Sequence, residues 1–146
     1  MNNVNHYYKK AKVFCNFLEG NRKFELANSQ NFILNLLDIY SAALDLPDMK
    51  PNTGLVNGIY AANLSISFGE FDIYWEVHNP KECDEPVCGS LYDDFTTIYK
   101  ELKIGISLFE QNEINNAVWH WKWSFENHWS YHAVDALRAL NCLLLS

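Results

Sequence analysis

The chain has no long apolar run, no basic excess and no closely spaced cysteine pairs, and each absence removes a class of function. Its longest apolar stretch, Leu143 to Leu145 with its neighbours, is far too short to span a bilayer. The segment Met1 to Lys10 has no uninterrupted apolar core ahead of a cleavage site, so no signal peptide is expected and the cytoplasm is the expected address. There Cys15, Cys83, Cys88 and Cys142 should stay reduced. The pair Cys83-x4-Cys88 lacks the close spacing and the second pair of a zinc site. No nucleophile elbow, phosphate-cradling glycine loop or dinucleotide fingerprint is present, and no cofactor is expected.

The net charge of −7 is concentrated in one place. Residues 70 to 94 hold Glu70, Asp72, Glu76, Glu82, Asp84, Glu85, Asp93 and Asp94 against Lys81 alone, while the flanking segments are nearly balanced. A nucleic-acid groove needs a basic patch, so this distribution argues against one. It suits a basic protein partner drawn in by long-range attraction, and the plain alternative is a solvated loop.

What is present is helical periodicity in a chain of 146 residues, long enough for one domain with a sizeable core. A first helix is predicted over Asn5 to Glu19, with Tyr7, Tyr8, Ala11, Phe14, Cys15 and Leu18 inward and Gly20-Asn21 as its stop. A second, from Arg22 or Ser29 to Leu46, must end before Pro47. A third is predicted over Thr53 to Phe68. Gly69 to Gly89 reads as one long acidic loop, with Phe71 to His78 alternating at period two but lacking a partner strand. The fourth helix starts at the N-cap Ser90 and runs to Phe109, closed by Asn112. In the last third, Ile114, Ala117, Val118, Trp121, Phe125 and Trp129 share one face, and Trp119 and Trp123 form a second stripe. That helix is expected to be central, and a break is expected between Asn127 and Ser130. Beyond it Tyr131, Val134, Leu137, Leu140, Cys142 and Leu144 form the next stripe, while Ala133, Ala136 and Ala139 leave one side thin enough for close helix packing. The expected architecture is an all-α, antiparallel bundle of five to six helices with one long acidic loop.

The phrases Leu46-Pro47, Tyr74-Trp75, Gly89 to Lys103 and Trp121 to Leu140 resemble a bacterial family numbered 5063 among the domains of unknown function. The resemblance covers nearly the whole chain, and its two C-terminal motifs are specific. It implies a compact helical bundle and no activity. An acidic residue often stands in that family where this chain has Thr97, and a glycine where it has Ser130. The first departure removes a carboxylate from the fourth helix.

The polar residues allow two functions. His128, His132 and Asp135 are spaced i, i+4, i+7, which on a continuous helix lines two imidazoles and a carboxylate along one face, as a metal site needs. Asp93 and Asp94 would complete it from another helix. Against this, Ser90-x-x-Asp93 is a capping box, acids in a first turn suit the helix dipole, and a break at Ser130 would spoil the spacing. The histidines then read as core-edge residues bonded to backbone or acid, and Arg138 as the ion-pair partner of Asp135 or of Asp94. The leading expectation is a non-enzymatic acidic protein-binding module, of the general character of an immunity protein or antitoxin that neutralises a basic toxin. Its binding residues would be Glu82, Asp84, Glu85, Trp75, Asp93, Asp94, His128 and Trp129, with no nucleic acid and no membrane involved. The alternative is a metal-dependent, hydrolase-like bundle with Asp94, His128, His132 and Asp135 as catalytic groups and His128, His132 and Asp135 as ligands.

Overall fold

The computed structural model describes residues 2–52 and 63–146, and the all-α expectation holds: helices dominate, with one small antiparallel sheet beside them. Helix α1 spans Asn2–Glu19, α2 Ser29–Leu44, α3 Leu91–Glu110, α4 Ile114–Ser124 and α5 Ser130–Leu144; strands β1, Ile73–Glu76, and β2, Val87–Ser90, complete the set. The predicted third helix lies mostly at residues 53–62, outside the described residues. Its end is not helical. Leu64, Ile66 and Phe68 are buried at alternate positions of an extended segment, and Ser67 bridges Lys23 in parallel register.

The expected break between Asn127 and Ser130 does not occur. Phe125–Trp129 is a π-helical turn in which the Ser130 amide reaches back five residues to the Phe125 carbonyl, so α4 and α5 form one continuous rod. Among the described residues the bundle is therefore four helical rods, where five or six helices were expected. The extra residue of a π turn rotates everything after it relative to a regular α-helix. In α5 the alanine side, Ala133 and Ala136, is buried together with Leu140, while Tyr131, Val134, Cys142 and Leu144 of the predicted apolar stripe face solvent. Small residues let the neighbouring helices close in.

Helix α3, not α4, is the central element: it packs against α1, α4 and α5. Its start follows from the sequence, because the Ser90 side chain accepts a hydrogen bond from the Asp93 amide at 3.1 Å. Asn112, at φ 64°, turns the chain into the left-handed region just beyond its end. Trp121 lies wholly buried across α3 on Gly105, where a Cβ would stand 1.9 Å from the indole nitrogen. That nitrogen donates to the Leu102 carbonyl at 3.2 Å. Phe32 and Phe95 meet edge to face at 5.4 Å in the adjoining aromatic layer with Phe14, Phe24 and Phe68. The second indole stripe is not interior: Trp119 and Trp123 are stacked on each other at the surface.

Candidate functional site

The acidic segment is not one long loop. Ile73 pairs with Ser90, Tyr74 with Gly89, Trp75 with Cys88 and Glu76 with Val87, so the strand thought to lack a partner has one in the residues leading into α3. Only residues 77–86 form the tip. Asp72 fastens the hairpin to the helix: its carboxylate accepts from the Tyr92 amide at 2.7 Å and from the Ser90 hydroxyl at 3.0 Å, and its carbonyl from the Leu91 amide at 2.9 Å. A second carboxylate thus caps the positive end of α3.

Strand alternation then sorts the side chains. Ile73 and Trp75 are exposed, Trp75 at 68%, while Tyr74 and Glu76 are half-buried. Gly89 permits the close approach of Tyr74, since a Cβ there would fall 2.4 Å from the ring. The Tyr74 hydroxyl donates to Asp94 Oδ2, and His132 Nδ1 lies 2.7 Å from Asp94 Oδ1. Asp94 is buried, and burial raises its pKa while the His132 and Tyr74 bonds oppose that rise. The bond to Asp94 raises His132 despite partial burial. Burial and the same carboxylate drive the Tyr74 phenol far above its ordinary range.

One strand position beyond Tyr74, Glu76 meets Asp135 of α5. Burial first, then hydrogen bonding with Asp135 and repulsion from Asp135 and Asp94, push Glu76 up to about 7. Two ionised carboxylates can only accept, so their contact is satisfied by a shared proton or by a cation. Glu76 Oε2 is shielded and has no donor among the described residues. The pair lies in a cavity of about 270 Å³ between β1 and α5, walled by Phe71, Tyr74, Ala139 and Leu143, with Arg138 and Glu70 also lining it.

The predicted site residues divide accordingly. Asp94 and His132 come together, with the exposed Asp93 carboxylate 3.8 Å from His132 Nδ1. Asp93, Asp94 and His132 place one ligand atom each within 4.8 Å of one another. The predicted ligand set of His128, His132 and Asp135 is not what the fold assembles: Asp135 faces Glu76 in the cavity, and the exposed His128 meets His132 edge to face at 5.4 Å. Arg138 lines that cavity but forms no ion pair with Asp135 or Asp94 among the described residues. Trp129 is wholly buried against Phe125, which removes it from the binding surface. Glu82, Asp84 and Glu85 stand exposed on the tip, and the four cysteines are free. Tyr74 and Glu76 were missed as site residues; their i, i+2 spacing in an alternating strand was the available signal.

No helix among the described residues is long and apolar enough to cross a membrane. The comparisons with known proteins agree with the fold. No curated protein matches the chain. The crystal structure of protein BF1032 from Bacteroides fragilis is similar, with a TM-score of 0.78, 23% identity, and coverage of 100% of this chain and 97% of that one; at that identity the likeness speaks for the fold alone. The family described as Domain of unknown function (DUF5063) matches residues 2–146, and the chain belongs to it.

Proposed function

We propose that the chain is a non-enzymatic binding protein whose acidic hairpin and adjoining cleft hold a basic protein, a role of the kind an immunity protein or antitoxin plays toward a basic toxin. The observation that carries this reading is that Glu76 and Asp135 line one open cavity, with no cation in ion-pair contact with either among the described residues. Acids that serve the fold have partners: the Asp72 carboxylate caps α3, and Asp94 is bonded on both oxygens. Glu76 and Asp135 have no ion-pair partner among the described residues, and Glu82, Asp84 and Glu85 extend the same negative field outward. Such a field speeds encounter with a basic surface and weakens as salt is added.

A photo-crosslinker at the hairpin tip in the native host identifies the partner, and stopped-flow association with the purified partner tests the reading. Replacing Glu82, Asp84 and Glu85 with their amides should slow association at low salt and flatten its salt dependence. Equal rates for variant and parent at low salt contradict the steering role. A metal-dependent hydrolase is the second reading, favoured by the convergence of Asp93, Asp94 and His132. Stoichiometric zinc, manganese or iron in the purified protein, lost on Asp94→Asn, would support it.

A further inference from the structure

We infer that the cavity between β1 and α5 is a socket for one cationic side chain of the partner, an arginine or lysine inserted so that its head lies between Glu76 and Asp135. This rests on the basic-partner reading and names the place where that partner is gripped. The cavity matches an amphipathic basic side chain in both chemistry and size. Its walls are apolar, from Phe71, Tyr74, Ala139 and Leu143, and its acids are the facing pair. A basic side chain has the same division, an apolar stem that packs and a charged head that must be compensated. At about 270 Å³ the space has room for an arginine or lysine side chain. Glu76 Oε2, shielded and without a donor, gains one when an N–H enters.

Charges from every side bear on the socket. Glu70 and Glu76 come from the hairpin side, Asp135 and Arg138 from α5, and the Asp94–His132 pair from behind Tyr74. The Arg138 guanidinium on the same lining works against an entering cation, which the two carboxylates must outweigh. Because the empty pair holds a proton that a cation displaces, binding should tighten as pH rises from 6 to 8.

Isothermal titration calorimetry of the full chain tests this with three probes: propylguanidine, propylamine, and a short capped peptide with one internal arginine. At pH 8 saturable binding of the peptide is expected, weakened at least about tenfold by Glu76→Gln, a change of about 1.4 kcal/mol. Asp135→Asn should do the same, which keeps the test decisive if one variant fails to fold. The control Asp45→Asn, at an exposed acid that does not line the cavity, should leave probe binding unchanged. Absence of saturable binding by all three probes overturns the socket, and continued association of the parent with its protein partner would then show that the basic-partner reading survives. Binding of the free amines with exclusion of the peptide overturns a protein side chain as the occupant. Binding kept in both Glu76→Gln and Asp135→Asn places the site elsewhere and also overturns it.

Discussion

Among the described residues two aromatic rings lie against glycines, and they serve different ends. Trp121 covers Gly105 inside the bundle, and its one polar atom is met by a backbone carbonyl. Tyr74 covers Gly89 in the hairpin, and its hydroxyl is aimed at a buried carboxylate that a histidine also engages. The first contact satisfies the buried Trp121 indole locally, inside the bundle. The second joins a hairpin to α3 and α5 and sets beside that joint a carboxyl pair without an ion-pair partner among the described residues, so the Trp121 contact is finished in itself and the hairpin face is not.

The largest expected effect falls on the finished side. Trp121→Ala should cost about 3–5 kcal/mol, as large aromatic truncations in cores do. A loss under about 1 kcal/mol in a reversible denaturant titration would mean that the contact over Gly105 is dispensable. Tyr74→Phe removes one donor from buried Asp94 and should cost about 1–3 kcal/mol, with the hairpin amides of β1 and β2 exchanging faster than those of α3. Uniform exchange across hairpin and helix would show that Tyr74 does not fasten one to the other.

These two sides were not equally legible in the sequence. Helix α3 could be read almost to the residue, because Ser90 is an N-cap, Leu91, Phe95, Ile98 and Leu102 recur at helical spacing, and Asn112 suits the turn beyond its end. The hairpin could not, since β2 is only Val87-Cys88-Gly89-Ser90 and its pairing is fixed by contacts that β1 makes with α3. The π turn hid in the same way: one additional residue in a helix leaves no compositional mark, yet it turns Ala133 inward and Tyr131 outward. Asp94 and His132 were legible as candidates by type, but their partner Tyr74 and the pairing of Glu76 with Asp135 depend on tertiary packing. Arg138 beside Asp135 was the local expectation, and strand β1 brought Glu76 there instead.

A subtler difference should appear with pH. Glu76 is a carboxyl whose native pKa is raised, so between the ordinary carboxylate range and about 7 the native state keeps a proton that the unfolded chain has released. Stability therefore falls as pH rises through that window. Asp94, raised by burial, acts in the same sense, and so does His132, whose contribution is full below the ordinary histidine range and is lost as pH passes its raised value. Melting temperature should be lower at pH 8 than at pH 6, and Glu76→Gln should shrink the difference. An identical difference in parent and variant would remove Glu76 from the account. The smallest expected effect on folding is at the tip, where amides at Glu82, Asp84 and Glu85 should leave the melting temperature nearly unchanged, because exposed charges contribute little to stability. A marked shift there would show that the tip carries structural contacts.

The claim on which the functional reading rests is that Glu76 and Asp135 share a site without an ion-pair partner among the described residues, and carbon-detected NMR titration of the Glu76 carboxyl tests it most directly. The expected midpoint is near 7 in the parent and distinctly lower in Asp135→Asn, where the repelling partner is gone. A midpoint in the ordinary carboxylate range in the parent, unmoved by Asp135→Asn, would contradict the account.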